Sequence, residues 1–191
     1  MDVWYVVAHY KENIEWAKPF YSQTYVYHKG YEAGPTFPVL SWEKLPNVGR
    51  EGHTYLYHII NHNDHLDDIM VFLQGCIVDH AYGKTVQGIV EEARLNGMGC
   101  FGRKYYPSFG QPYRGFFLFF QRVMKKKAPR FLNFYTNACF AVRKERILAH
   151  PKSFYENLYH MLNQENDPIE GHYLERLWLY LFDPENAIGR L

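Results

Sequence analysis

Residues 45–75 read LPNVGREGHTYLYHIINHNDHLDDIMVFLQG, and the spacing of the apolar side chains changes along this stretch. Between residues 50 and 61 the apolar positions, Leu56 and Ile59 among them, follow helical spacing. IMVFLQG, residues 69–75, is then a short apolar run that stops at a glycine, which is typical of a strand covered on both faces. The stretch therefore predicts a glycine turn, a helix and a buried strand in succession.

The same alternation precedes this stretch. VWYVVA, residues 3–8, predicts a central buried strand, and YKENIEWAKPF predicts a short helix interrupted near Pro19. TYVYHKG predicts a second strand that stops at Gly30. Residues 31–46 hold three prolines and predict an irregular connection.

Later segments continue the pattern with one interruption. TVQGIVEEARLNG predicts a third helix, ACFAVRKERI a strand, and SFYENLYHMLN and IEGHYLERLWLYLF two final helices. Residues 98–137 show no clean period and include the run Lys125, Lys126, Lys127, so we interpret them as an irregular, acceptor-side insertion. The whole, residues 1–191, is predicted to be a single α/β domain with a mixed, mostly parallel central sheet flanked by helices.

Composition limits the partners. With 21 Lys and Arg against 20 Asp and Glu, the chain has no overall field that would favour nucleic acid, so small or neutral partners are expected. Three widely spaced cysteines favour reduced structural thiols. No apolar stretch approaches about 20 residues and no basic leader is present, which predicts no membrane span and no signal peptide in this chain. A cytoplasmic location is favoured, which for a viral protein would be the host cytoplasm.

Ligands of such sheets bind outside the carboxyl ends of the strands. Tyr10 and Glu12 follow the first predicted strand, and Lys29 follows the second. Residues 74–80 follow the third. These positions are therefore the candidates for a site.

Gly49 and Arg50 form the first candidate element. A glycine before an arginine at a helix start offers free backbone N–H groups and a guanidinium, both suited to phosphate oxygens. The alternative is a glycine turn whose Arg50 pairs with a surface carboxylate. Spacing alone does not separate the two, since a complete glycine-rich fingerprint is absent.

Two segments hold candidate metal ligands. Asp79 and His80 follow FLQG at a strand end, where a divalent cation could bridge two phosphates; the alternative is that Asp79 caps the next turn. His58 and His62 share a helical face, as zinc ligands would, and a metal hydrolase built on them is a third functional hypothesis. Because this pair lies at the far end of its helix, away from the strand carboxyl ends, we interpret it as part of a solvated cap and turn.

Glu170 and His172 precede the last amphipathic helix. A carboxylate there can act as a general base or help to hold a metal, with His172 as a further ligand. The alternative is a capping carboxylate.

A domain family of unknown function from fungi, plants and large algal viruses is similar to this chain in the motifs VVAHYKENIEW, VYHKG, LPNVGREGHTYLYHII, FLQG with the later DH, ACFAVRKERI, HPKSFYENL and PIEGHYLERLW. That family in turn resembles glycosyltransferases of the GT-A type. The chain is especially similar to the small sugar-transferring domains with which algal viruses glycosylate their capsid protein. The resemblance therefore implies a GT-A-like fold and transfer of a sugar from a nucleoside diphosphate sugar, UDP-sugar being favoured, to a glycan or glycoprotein acceptor.

The resemblance also implies roles for particular residues. Tyr10 and Glu12 would meet the nucleotide base and ribose, with Lys29 nearby, and Asn47, Gly49 and Arg50 would meet base and diphosphate. Gln74 and Gly75 would lie at the donor where GT-A enzymes usually carry an Asp-X-Asp metal motif. Asp79, His80 and His172 are then the candidate ligands of Mn²⁺ or Mg²⁺. Glu170 would be the catalytic base, with Glu175 or Asp79 as the next carboxylates to test.

The leading hypothesis is thus a nucleotide-sugar-dependent glycosyltransferase. The alternative is a non-catalytic α/β module that binds a glycan or a protein, which the missing Asp-X-Asp acids favour.

Overall fold

Strands and helices alternate through the first hundred residues, and helices predominate after residue 143. The computed structural model describes residues 1–31, 33–102, 104–105 (backbone only), 115–129 and 131–188. The strands are β1 Val3–His9, β2 Thr24–His28, β3 Ser41–Lys44, β4 Ile69–Gln74, β5 Met98–Cys100, β6 Lys104–Tyr105, β7 Phe134–Tyr135 and β8 Phe140–Arg143. The α-helices are α1 Arg50–Asn61, α2 Val86–Asn96, α3 Phe116–Met124, α4 Lys144–Leu148, α5 Lys152–Leu162, α6 Ile169–Phe182 and α7 Pro184–Ala187.

A six-stranded sheet forms the centre, in the order β3-β2-β1-β4-β8-β5. The first four strands in that order are parallel, and β8 runs antiparallel to both β4 and β5. A separate two-stranded ribbon pairs β6 with β7. This mixed, mostly parallel sheet flanked by helices confirms the predicted fold class.

Both faces of the sheet are covered, which explains why β4 is continuously apolar. Met70 and Phe72 point into a core that includes α1, α5 and α6. Ile69, Val71 and Leu73 point to the opposite face, where they pack with α2. A strand with both faces buried has no position for a polar side chain until its end, so the polar residue Gln74 comes last.

The helix ends follow local chemistry. At α2, the Thr85 side chain accepts a hydrogen bond of 3.0 Å from the Gly88 N–H, and Gly97 ends the helix with a φ of 86°. At α1, Gly49 takes a left-handed conformation immediately before Arg50. The predicted helix over residues 50–61 has these bounds in the structure.

Three local predictions are wrong in part. Residues 41–44 form edge strand β3 within the connection predicted to be irregular. Residues 98–100 are strand β5 of the main sheet, and residues 116–124 are helix α3, so the stretch 98–137 is not irregular throughout; residues 103, 106–114 and 130 of it lie outside the described residues. The segment ACFAVRKERI turns from strand to helix at Lys144.

Two further features concern the length of the helices and the state of the cysteines. Within the described residues, no helix is both long and apolar enough to cross a bilayer. Cys76, Cys100 and Cys139 are free thiols, as predicted.

Candidate functional site at the carboxyl edge of the sheet

The carboxyl ends of β1 and β4 meet at a point where the sheet order diverges, since β2 lies on one side of β1 and β4 on the other. Open α/β sheets bind ligands at such a point. The Gly75 N–H donates a hydrogen bond of 2.9 Å to the carbonyl of Ala8, which ties the two strand ends together. A crevice edge is therefore defined by the residues after β1 and β4.

Glu12 closes the turn after β1. Its Oε2 accepts hydrogen bonds from the backbone N–H groups of Tyr10, at 2.8 Å, and Lys11, at 3.1 Å. The same carboxylate lies against Gly75, where an added Cβ would be 2.5 Å from Oε2. A side chain at residue 75 would therefore displace the Glu12 carboxylate from the Tyr10 and Lys11 N–H groups, so Glu12 has a structural role in addition to any role in ligand binding.

Two buried histidines join the ends of β1 and β2. His9 Nδ1 lies 2.9 Å from His28 Nδ1, and His9 Nε2 lies 3.0 Å from the carbonyl of Glu12. A carbonyl only accepts, so His9 Nε2 is a donor. In neutral His9 the Nδ1 must then accept from His28 Nδ1–H, which fixes the tautomers of both rings.

Lys29 follows β2 and is buried, with 8% of its surface exposed. Its Nζ donates to the carbonyls of Val48, at 2.7 Å, and Arg50, at 2.6 Å. Burial lowers the pKa of Lys29 to about 7. Lys29 therefore holds the start of α1 against the end of β2 and is a cation whose charge depends on pH near neutrality.

The start of α1 is covered by the chain that precedes α6. The Gly49 N–H donates to the carbonyl of Glu165 at 2.7 Å, and the Arg50 N–H donates to the carbonyl of Asn166 at 3.2 Å. The sequence-based expectation of free backbone N–H groups at Gly49 and Arg50 is therefore wrong. Carbonyl groups more than a hundred residues away in sequence already accept these hydrogen bonds.

The Arg50 side chain is left as the group at this helix start that can bind an anion. Its Nη1 lies 3.0 Å from Asp167 Oδ1 and 3.1 Å from His172 Nε2. Its Nε is buried, has no hydrogen-bond partner among the described residues, and lies 3.7 Å from Glu51 Oε2. Gly171 makes room for it, because an added Cβ there would be 3.0 Å from Arg50 Cδ.

The Arg50 backbone is itself strained. Its φ is 53°, in the left-handed region that non-glycine residues avoid. Such strain is of the order of 1–3 kcal/mol and is found preferentially at functional sites. The packing of Gly49, Glu165 and Asn166 around the turn keeps Arg50 in this conformation.

Two carboxylates border the guanidinium. Burial raises the pKa of Glu51, and the negative charge of Glu175 raises it further, whereas Arg50 lowers it. Glu175 Oε1 accepts a hydrogen bond of 3.0 Å from the Asn137 N–H. The Gln74 Nε2 in turn donates to the carbonyl of Asn137 at 3.3 Å, so Asn137 links α6 to the end of β4.

Glu170 lies in the first turn of α6 and is partly buried. No hydrogen bond or ion pair reaches it from the part of the chain that the structure describes. At about 100° per residue, Glu170 is about 140° around the helix from Glu175, and so it faces away from Arg50. The two carboxylates of α6 therefore have different surroundings: Glu175 is anchored and Glu170 is not.

The predicted metal ligands are not brought together. Asp79 is exposed in a short 3-10 turn, residues 78–80, with Cys76 Sγ 3.6 Å from its Oδ2. The carbonyl of His80 accepts from the Gly102 N–H at 3.1 Å, while the His172 ring is on α6 beside Arg50. Among the residues described, no three His, Cys, Asp or Glu side chains form a metal-ligating group. Asp79 still fits Mg²⁺ or Mn²⁺ chemically, because such ions are often held by one carboxylate and the phosphates of a substrate.

The remaining predicted donor residues lie at the rim. Tyr10 packs edge to face with Tyr31, with ring centroids 6.5 Å apart. Asn47 is exposed in the turn that precedes Gly49. Neither Tyr10 nor Asn47 is part of the core, so both side chains are accessible to a ligand.

The histidine cluster of α1 differs from its predicted environment. His58 is fully buried, with Nδ1 2.8 Å from the Tyr27 hydroxyl, and its ring stacks on His62 at 4.3 Å. Burial lowers the pKa of His58 well below its usual value. The expected solvated cap is therefore wrong for His58, which is a core residue. The pair lies at the amino edge of the sheet, where His62 contacts Trp4 and Tyr25.

Sequence reasoning missed Glu51, Asn137 and Asp167. Glu51 directly follows Arg50, and a carboxylate in the first turn of a helix is a common capping feature, so its burial gave no local signal. Asn137 has a φ of 72°, which asparagine tolerates better than most residues. Asp167 becomes relevant only through the long-range contact between α1 and the loop before α6.

Comparison with known proteins gives one match. A model of the family described as "Protein of unknown function (DUF3431)" matches residues 107–189. No curated protein and no solved structure matches the chain. The matched segment includes α6, with Glu170, His172 and Glu175, but not the parts of the site that come from β1, β2, β4 and α1.

Proposed function

We propose that this chain is a glycosyltransferase that uses a nucleoside diphosphate sugar, UDP-sugar being favoured, and a hydroxyl of a glycan or glycoprotein as acceptor. The observation that carries the proposal is the position of Arg50. Its backbone is strained, its buried Nε has no hydrogen-bond partner among the described residues, and its guanidinium lies beside carboxylates near the carboxyl end of β2. A guanidinium at this position suits a diphosphate, and a carboxylate near it suits proton removal from a hydroxyl.

The donor diphosphate would displace Asp167. That carboxylate is 62% exposed, so its ion pair with Arg50 is largely solvated and contributes little to stability. A diphosphate carries more charge than one carboxylate and can accept two parallel N–H bonds from the guanidinium. Exchange of partners at Arg50 is therefore favourable without any change in the fold.

The transfer is a direct displacement. The acceptor oxygen forms a bond to the anomeric carbon while the bond from that carbon to the diphosphate oxygen breaks, and the electron pair leaves with the diphosphate. The acceptor proton goes to a carboxylate. Glu175 is the proposed base, since it lies on the side of α6 that faces Arg50, whereas Glu170, the base that the resemblance implies, faces away from Arg50.

A divalent cation is proposed as cofactor, with Asp79 and His80 as its protein contacts. When bound, it would offset negative charge on the leaving diphosphate. His172 is better placed to orient Arg50, because its ring nitrogen lies 3.1 Å from Nη1.

The second candidate function is a glycan- or protein-binding module without turnover. The internal capping of the Gly49 and Arg50 N–H groups favours it, since this helix start cannot also cradle phosphate through those two groups. The two proposals differ in whether a nucleoside diphosphate binds.

Titration calorimetry with UDP tests the difference. We expect UDP to bind more tightly with Mn²⁺ than without it. Arg50→Gln should weaken UDP binding by about ten- to a hundredfold and uridine binding much less, because the lost contacts are charge-assisted. Arg94→Gln on α2 is the matched control. Absence of UDP binding with and without Mn²⁺ would reject the transferase proposal.

A further inference from the structure

Helix α3 has an exposed face that combines large apolar side chains with cations. Phe117 is 50% exposed and Leu118 is 70% exposed, although the helix buries Phe116, Phe119 and Phe120 on its other side. The buried side is well packed, with ring centroids of Phe120 and Tyr180 4.9 Å apart. Helix α3 is therefore held firmly against the core, and the exposure of Phe117 and Leu118 does not result from a loosely packed helix.

Basic side chains lie on this face and directly after the helix. At about 100° per residue, Phe117, Leu118 and Arg122 lie on one side of α3, over a length of about 8 Å. The helix ends at Met124, and Lys125, Lys126 and Lys127 follow it. All four basic side chains are exposed, and Lys126 Nζ lies over the Tyr180 ring, 5.1 Å from its centroid. Residues 116–129 contain no acidic residue, so this positive charge is not offset within the segment. We call the six side chains Phe117, Leu118, Arg122, Lys125, Lys126 and Lys127 the α3 patch.

We propose that the α3 patch docks on the surface of an anionic lipid bilayer. Apolar side chains that insert at the boundary of headgroups and acyl chains, next to Lys and Arg that meet anionic headgroups, are the features of interfacial helices. Nucleic acid would also attract the cations, and the Phe117 ring could stack on a base, but Leu118, the more exposed of the pair, offers no π-face and suits an acyl-chain boundary. The chain as a whole is almost neutral, with 21 Lys and Arg against 20 Asp and Glu. Attraction to an anionic bilayer would therefore come from the local excess of positive charge at α3.

The charge and the apolar contributions can be measured separately. Co-sedimentation would use large unilamellar vesicles of pure phosphatidylcholine and of phosphatidylcholine with about 30% phosphatidylserine. We expect binding to the anionic vesicles that weakens as salt is raised, and little binding to the neutral ones. Lys125→Gln/Lys126→Gln/Lys127→Gln should lower the partition coefficient on the order of a hundredfold, at about fivefold for each lysine.

Two further variants complete the test. Phe117→Ser/Leu118→Ser keeps the charge and should lower the partition coefficient roughly tenfold or more, since apolar insertion is lost. Lys18→Gln/Lys44→Gln/Lys152→Gln removes the same number of charges from exposed positions on other elements and should bind as the parent does. Melting temperatures of all variants should agree within a few degrees, because the substituted side chains are exposed.

Three results would overturn the proposal. One is failure of the parent protein to sediment with anionic vesicles. Another is an equal loss of binding in the control triple variant, which would mean that overall charge and not the α3 patch is responsible. The third is unchanged vesicle binding in Phe117→Ser/Leu118→Ser together with tight binding of a single-stranded oligonucleotide, which would reassign the surface to nucleic acid.

Discussion

Lys29 shows how one buried cation shapes the candidate site. Its ammonium donates to two backbone carbonyls at the start of α1, and these contacts hold Arg50 in its left-handed conformation. Burial makes the charged form costly, and so the pKa of Lys29 falls to about 7 while the lysine of the unfolded chain keeps a pKa of about 10.4. Between these values the unfolded state binds more protons than the folded state.

The contribution of Lys29 to the free energy of unfolding should therefore rise with pH through this window. Between pH 7 and 8.5, below the range in which tyrosines begin to ionise, Lys29 should contribute an increase of about 1–2 kcal/mol. In Lys29→Met that part of the increase should disappear, whereas it should persist in Lys44→Met, which removes an exposed lysine. Urea unfolding at pH 7 and at pH 8.5 measures this change in the free energy of unfolding for the parent and both variants. Equal slopes in Lys29→Met and the parent would mean that Lys29 is not buried in solution.

The start of α1 depends on an element distant in sequence. Gly49 has a φ of 62°, and an added Cβ would lie 2.6 Å from the carbonyl oxygen of Leu162. Gly83 offers a matched comparison, because its φ is 82° and nothing lies within 4 Å of an added Cβ. The first glycine is needed for conformation and space, the second for conformation alone.

Gly49→Ala should lower the free energy of unfolding by about 2–4 kcal/mol, the sum of backbone strain and a steric clash with the end of α5. Gly83→Ala should cost only about 1–2 kcal/mol. Chemical denaturation of both variants at one pH gives the comparison. Equal losses would show that the end of α5 does not pack on the start of α1 as described.

Local signals account for the elements that were predicted correctly. Thr85 caps the start of helix α2, and Gly97 ends the helix in a left-handed conformation. Threonine and glycine are residue types that favour these two positions. Strand β3 was missed because all its side chains are exposed, and so no apolar alternation marks it. Helix α3 was missed because FFLFF has no polar side within its first turns, as its exposed face is itself apolar.

The candidate site was predictable only in part, for a physical reason. Parallel strands place their carboxyl ends together, which is why the positions of Tyr10, Lys29 and Gln74 could be assigned to one edge. The partner of Arg50 could not, since Asp167 reaches it through packing of α1 against the loop before α6. Helical periodicity separates Glu170 from Glu175, but only the structure shows which of them faces Arg50.

The molecule as a whole brings the site together from two parts of the chain. Residues 9–80 supply Lys29, Arg50 and the ends of β1 and β4, and residues 137–175 supply the carboxylates of α6. The family match at residues 107–189 covers only the second part. The proposed transferase needs both segments. Residues 9–80 would bind the phosphates, and the carboxylates of α6 would remove the proton from the acceptor.

The proposed glycosyltransferase activity is measured most directly by the release of free UDP from a panel of UDP-sugars, with and without Mn²⁺. We expect slow donor hydrolysis by the parent protein. Glu175→Gln should lower its rate by roughly 10²–10⁴ with UDP affinity and melting temperature nearly unchanged, because Gln keeps an oxygen that accepts from the Asn137 N–H and only the basic oxygen is lost. Glu170→Gln, on the side of α6 that faces away from Arg50, is the matched comparison and should keep the parental rate. No release of UDP from any sugar nucleotide by the parent protein, under either metal condition, would contradict the assignment as a glycosyltransferase.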